Sequence, residues 1–391
     1  MKNNILLLLT IFFLATSCSN KTKAPEQVLS AQHVWDLNLS KATPVRKLSE
    51  VCDSISWIKL ETRDDVIVGN VNKLLINSSR IILSSNNKLF IFDSDGKFLS
   101  KIDKRGRARD EYLELDDFCV MPNGNILITD AQSQKIILYR IDGTHLNTLT
   151  LDFFPESIEA LNESVVVVKC SGNYGKRVKV IDTKSGIILK EYFDYEEIFS
   201  EPVSQALSKY ENEVYYKKPF YNEYYSINHE LGLTKKYSFN FYEYNFNKND
   251  LKSINFFGAN SLYDSKGNVN VIRFFDLPDI YILEFECRRI SEDSQFMLFS
   301  SKESSLQYIL DSKNYEDDML FYDYVILPQL RTIHNNKMAG VIYPAAWKEM
   351  INDVDAIRIS TKQYEKIKET VDKIDGFQNP IIAFYHISLT K

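Results

Sequence analysis

The sequence predicts an all-β fold: a six-bladed β-propeller closed by strands from both termini, with a helical insertion near the C-terminus. Three observations carry this expectation. Short runs of alternating apolar residues flank turns such as Asp95-Gly96 and Asp142-Gly143, the pattern of β-hairpins. The turn glycines Gly96, Gly143, Gly186 and Gly232 recur at intervals of 47, 43 and 46 residues. A period near ~45 with about four strands per unit belongs to a propeller. The chain is also rich in Tyr (23) and Phe (24) and poor in Gly (13), a composition that favours strands.

The elements follow in order. Met1-Lys2-Asn3-Asn4 precedes an apolar run over 5–14, and Ala15-Thr16-Ser17 leads into Cys18. A positive start, a short apolar run and small residues read as a secretory signal, residues 1–17, too short to span a bilayer. The cysteine directly after them resembles the lipobox of bacterial lipoproteins. That resemblance implies that Cys18 is lipidated and becomes the mature N-terminus. Residues 18–33 are polar and lack periodicity, as in a flexible tether, and the propeller is expected over 34–391. No second apolar stretch is long enough to span a bilayer, so membrane attachment is expected through the lipid alone.

Within the propeller, 54–61 reads as a strand without a hairpin partner of its own. Outer hairpins are expected at 88–102, 135–146 and 178–189, with a weaker copy at 224–234. Inner hairpins are expected at 120–130, around Asn123-Gly124, and at 262–271, around Lys266-Gly267. Residues 344–375 break the pattern. Trp347, Met350, Ile351 and Val354 sit at helical spacing, as do Tyr364, Ile367 and Val371. About seven slots of the repeat fit between Val71 and the C-terminus, and the helical insertion takes one, leaving six blades. Residues 379–387 then form a last strand, and pairing it with 54–61 closes the ring and removes two open edges.

A family resemblance rests on Leu48-Ser49-Glu50-Val51, Trp57-Ile58-Lys59-Leu60-Glu61-Thr62, Val68-Gly69-Asn70-Val71, the hairpin at 92–99, and Asn379-Pro380-Ile381. From about Leu37 to the C-terminus the chain resembles the six-bladed β-propeller lipoproteins abundant in Bacteroidota, similar in fold to NHL-type propellers. Where that family reads Gly-x-Gly-Pro-Gly-Glu-Tyr, this chain has Arg105-Gly106-Arg107-Ala108-Arg109-Asp110-Glu111-Tyr112. Ala108 and Arg109 replace small or rigid positions, while Glu111 and Tyr112 remain. The resemblance implies the fold and an outer-membrane lipoprotein, and supplies no activity. Surface-exposed members of this group often carry acidic residues after the lipidated cysteine. Here Ser19-Asn20-Lys21-Thr22-Lys23 has none. The periplasmic side is therefore the expected location, with the cell surface as the alternative.

The formal charge is −6, which gives no electrostatic reason to expect a nucleic-acid partner. Cys52, Cys119, Cys170 and Cys287 have no close pair. The four could pair in three ways; Cys119, Cys170 and Cys287, in apolar strand-like runs, are expected to be buried free thiols, and no metal site is expected. The five histidines are scattered, and no G-x-S-x-G, Walker or dinucleotide glycine motif appears. No cofactor and no catalytic residues are assigned, and the chain is not expected to be an enzyme. Asp93-Ser94-Asp95-Gly96 has the start of a calcium loop without its later ligands, and reads as a hairpin turn.

Two groups of residues are candidates for binding. Arg105, Arg107 and Arg109, followed by Glu111 and Tyr112, read either as a solvated connection between blades or as a recognition loop at the channel rim. In the second case arginine grips a carboxylate or phosphate. Tyr216, Tyr221 and Tyr224 lie in an aromatic stretch that serves either blade packing or stacking on a sugar or peptide. The expected function is a lipid-anchored envelope module, binding or scaffolding, that recognises a peptide, protein or glycan through propeller loops. The alternative is a propeller hydrolase or lyase acting at the channel mouth.

Overall fold

The apolar runs of the repeat become six antiparallel sheets, the blades of a propeller, in the computed structural model of the chain. The structure describes residues 33–77, 79–172, 175–194, 206–218, 220–247, 268–287, 295–320, 329–353 and 361–389. The signal, Cys18 and the tether up to residue 32 lie outside these, as does 262–267 of one expected inner hairpin. Three strands come first: β1 (His33–Asp36), β2 (Thr43–Val45) and β3 (Cys52–Lys59). Blade 1 holds β4 (Val71–Ile76), β5 (Arg80–Ser85), β6 (Lys88–Asp93) and β7 (Phe98–Ile102). Blade 2 holds β8 (Asp117–Val120), β9 (Ile126–Asp130), β10 (Lys135–Tyr139) and β11 (His145–Thr150). Blade 3 holds β12 (Phe154–Ala160), β13 (Val165–Ser171), β14 (Val178–Asp182) and β15 (Ile188–Tyr192). Blade 4 holds β16 (Leu207–Tyr210), β17 (Glu213–Lys218), β18 (Glu223–Ile227) and β19 (Leu233–Asn240). Blade 5 holds β20 (Asn270–Asp276), β21 (Ile280–Glu286), β22 (Gln295–Ser301) and β23 (Gln307–Asp311). Blade 6 is β24 (Gln329–His334), β25 (Lys337–Ile342), β26 (Ile381–Ile387) and, from the other end of the chain, β3.

Burial explains the pattern. Each blade is sandwiched between two others, so its middle strands are apolar on both faces. In β9 and β18 every residue is buried. Outer strands such as β7 and β11 are only partly covered. Six apolar layers result, one between each pair of neighbouring blades. The outer hairpins turn on carboxylate oxygens that accept backbone N–H groups. Asp93 Oδ1 takes the amides of Asp95 and Lys97, and Asp182 Oδ1 those of Lys184 and Ser185. The Asp93 loop is thus a hairpin turn, with Gly96 at φ +85°. In blade 4 the positive φ falls on Leu231 instead of Gly232, which accounts for that weaker copy.

The two termini close the ring. β3 pairs antiparallel with β26, Trp57 opposite Ala383 and Ile55 opposite Tyr385. Asn379 clamps the joint. Its amide donates to the carbonyls of Glu61 (2.7 Å) and Val66 (2.8 Å), and its oxygen accepts the Val68 N–H (2.8 Å). β26 is the third strand of blade 6, with β3 outside it. Two features differ from expectation. Asn270 and Val271, expected in the second arm of an inner hairpin, instead begin the first strand of blade 5. A belt also appears: β1 adds to β19 and β2 to β23, both in parallel, so blades 4 and 5 have five strands.

The helical insertion is the connection between β25 and β26. It contains α1 (Pro344–Asp353) and α2 (Thr361–Asp372). Pro344 opens α1, where its missing N–H costs nothing. Trp347 is fully buried and donates its indole N–H to the Leu320 carbonyl at 2.7 Å. Ile351 from α1 and Ile367 and Val371 from α2 join it in the core of blades 5 and 6. Among the described residues, no helix is long and apolar enough to cross a membrane. Cys52, Cys119, Cys170 and Cys287 are all buried.

Candidate functional site

The first strand of each blade lines the channel. In each of the first five blades that strand carries a charged residue within it: Lys73, Asp117, Glu159, Lys209 and Arg273. Three of these meet. Lys73 Nζ donates to Asp117 Oδ1 (2.9 Å), Glu159 Oε1 (3.2 Å) and the Phe118 carbonyl (2.8 Å). Asp117 Oδ2 also accepts from Ser157 Oγ and the Ile158 amide. Burial opposes the Lys73 charge, but Asp117 and Glu159 outweigh it and hold the ammonium above the usual lysine range. Burial pushes the Glu159 carboxyl up, against the pull of Lys73. Blades 1, 2 and 3 are thereby joined across the channel.

Beyond this triad the channel opens into a cavity of about 310 Å³. Its walls come from the ends of β16, β20 and β24 and from the turns that follow them, Glu211, Pro278 and Asn336. It therefore lies at the face toward which the first strands run. One wall is aromatic: Tyr215, Tyr224 and Tyr237 from blade 4 pack with Phe274 of blade 5, and Tyr210 stands at the edge. Tyr237 and Phe274 have ring centroids 4.8 Å apart, and Tyr224 and Phe274 5.6 Å. The buried phenols have partners. Tyr237 donates to Asp276 Oδ2 at 2.7 Å and Tyr215 to Glu213 Oε2 at 3.1 Å. Burial, then these carboxylates, push both phenols up, so they stay neutral. Lys302 Nζ takes the other Asp276 oxygen at 2.5 Å.

The rim is polar. Ser208, Lys209, Tyr210, Glu211, Thr332 and Asn336 line the cavity. No hydrogen bond or ion pair engages their side chains among the described residues. All are at least partly exposed.

The sequence-derived candidates are distributed differently. The 105–112 loop joins β7 to β8, at the start of a first strand, and so lies on the opposite face from the cavity. Glu111 folds back to accept the Ala108 amide at 2.8 Å, so tightly that a Cβ on Gly106 would meet its carboxylate at 2.0 Å. Tyr112 is fully buried, with its hydroxyl 2.9 Å from the Asn87 carbonyl. These two residues pin the loop from within. Arg105, Arg107 and Arg109 are exposed, and none forms an ion pair among the described residues. Tyr216 is buried against blade 3, its ring 4.9 Å from Phe193. Tyr221 lies under Lys218 Nζ at 3.9 Å, in a separate groove with Val34 and Phe246. Only Tyr224 reaches the cavity. The rim residues were missed because they come from two separate blades, 4 and 6, far apart in the chain. The one signal for them is the charged residue in each first strand, visible only once strand bounds are known.

A family model described as a domain of unknown function, DUF4934, matches residues 33–386. The chain belongs to the DUF4934 family. Its match takes in both the belt and the closing strand of the DUF4934 propeller. Among solved structures, the DUF4934 chain is similar to a Bacteroides fragilis protein described as exported. The two share 17% identity at a TM-score of 0.72, over 91% of this chain and 100% of that one, a likeness that shows the fold. It is also similar to a DUF4221 family member from Bacteroides vulgatus, with 10% identity, TM-score 0.47 and coverage of 86% and 97%. A third is virginiamycin B lyase from Staphylococcus aureus, with 12% identity, TM-score 0.38 and coverage of 66% and 73%. At those scores neither bears on the chemistry of this DUF4934 chain. No curated protein matches it.

Proposed function

We propose that this chain is a non-catalytic binding module of the cell envelope, tethered by lipid on Cys18, that takes a small polar ligand at its channel mouth. The observation that carries the reading is the rim itself. Six polar side chains converge on a cavity with an aromatic wall, and none is engaged in a hydrogen bond or ion pair among the described residues. Fixed polar groups beside an apolar wall are what small-molecule sites present. A rigid ring suits this work, since six layers of apolar packing hold the rim residues in place. The envelope location is supported by the signal-like start ending in Cys18 and by the similar Bacteroides protein described as exported. The ligand classes expected from the sequence, peptide, protein or glycan, all reach this mouth from solvent.

The test is thermal denaturation of the full chain in detergent against saccharides, short peptides and organic acids. Ser208→Trp, which fills the mouth, is the control. At least one compound is expected to raise Tm in the unmodified protein and not in Ser208→Trp. Equal shifts in both proteins, or none in either, would overturn the reading. Chemical conversion of a shifting compound would replace binding with catalysis.

A further inference from the structure

Resting on that reading, we infer that the ligand at the mouth is a neutral saccharide, one or two sugar rings in length. The cations and anions deeper in the cavity are already matched. Lys73 spends all three N–H groups on Asp117, Glu159 and the Phe118 carbonyl. Arg273 donates to Glu284 at 3.0 Å, and Asp276 accepts from Tyr237 and Lys302. At the rim, Lys209 and Glu211 are one charge of each sign. An anionic ligand would need an uncommitted excess of cations, as phosphate and carboxylate sites have. The mouth has none among the described residues.

Hydrogen bonding and shape narrow the class further. The hydroxyls of Ser208, Tyr210 and Thr332 and the amide of Asn336 each donate and accept, so the rim matches a ligand whose groups do the same. Sugar hydroxyls have this property. A sugar ring also has an apolar C–H face, and the cavity offers a matching surface. Tyr210 and Phe274 are the half-buried rings of the aromatic wall, while Tyr215, Tyr224 and Tyr237 behind them are buried. Tyr210 makes no ring–ring contact among the described residues, so one face remains for stacking. The volume of about 310 Å³ sits at the low end of small-molecule pockets, roughly 300–1,000 Å³, which sets the length.

The test is calorimetric titration of the full chain in detergent. The neutral probes are cellobiose, maltose, xylobiose and N,N′-diacetylchitobiose; glucuronate, glucosamine and triglycine are the comparators. At least one neutral disaccharide is expected to bind, and to bind about tenfold more tightly than either charged sugar. Tyr210→Ala is expected to weaken it about tenfold and Tyr210→Phe by no more than about threefold, because the ring carries the stacking. Ser208→Trp is expected to abolish it. Absence of disaccharide binding up to about 10 mM, or binding unchanged by Tyr210→Ala, overturns the inference. If triglycine or an organic acid occupies the mouth instead, blocked by Ser208→Trp, the saccharide assignment fails and the binding reading stands. If nothing that binds is blocked by Ser208→Trp, both fail.

Discussion

Lys73 offers three N–H groups, and the channel uses all three to hold blades 2 and 3 to blade 1. Lys73→Met would leave Asp117 and Glu159 facing each other without a counter-charge. The expected cost is about 3 kcal/mol, by urea denaturation near neutral pH. The pH dependence follows from sign. Burial already raises Glu159 above its unfolded value, and losing Lys73 raises it further. A carboxyl raised in the folded state favours folding below its unfolded pKa, and that contribution is lost as pH rises through the folded value. The gap between Lys73→Met and the unmodified protein should therefore be smaller at about pH 5 than at about pH 8. An equal gap at both would mean that the carboxylates are not the cause. The arginine loop gives the opposite expectation. Arg105, Arg107 and Arg109 are exposed and outside any described ion pair, so changing all three to Ala should alter stability by less than about 1 kcal/mol. A larger loss would assign them a structural role. Such residues are legible in sequence as an odd loop. Their distance from the cavity is not, because it depends on which end of a first strand the loop enters.

Two glycine turns separate backbone strain from packing at the scale of the element. Gly96 and Gly124 have nearly the same φ, +85° and +82°. A Cβ on Gly96 would lie 2.3 Å from the Lys59 carbonyl oxygen at the end of β3, while one on Gly124 meets nothing within 4 Å. Gly124→Ala should cost about 1 kcal/mol for its conformation alone, and Gly96→Ala clearly more, in equilibrium unfolding. Equal costs would show that the β6–β7 turn does not press on the closing strand. The outer hairpins were legible because their turns are local and carry Asp or Asn with Gly. The belt was not. β1 and β2 pair in parallel with strands far along the chain, Asp36 meeting Asn240 across 204 positions, and no turn motif announces such a pairing. Removing residues 1–42, and β1 with them, should lower stability yet keep one transition, since β2 and β3 remain in place. A split transition would make the belt part of the ring's cooperative unit.

The ring as a whole was foreseeable by counting repeats, because a sheet with two apolar faces must find neighbours on both sides. Its mouth was not, since Ser208, Phe274 and Thr332 come together only when the ring closes. Closure itself rests on β26. Deleting 379–391 removes the strand between β25 and β3 together with the Asn379 clamp. That truncated chain should lose the cooperative melting of the whole propeller, and a single transition like that of the intact protein would contradict closure by both termini. The proposed site of recognition is the channel mouth, not the arginine loop across the ring. Amide hydrogen exchange of the full chain, with and without the compound that most raises its Tm, tests this directly. Protection is expected at 207–211 and 270–276 around the mouth, with 105–112 unchanged. Protection at 105–112, with exchange at the mouth unaltered, would contradict it.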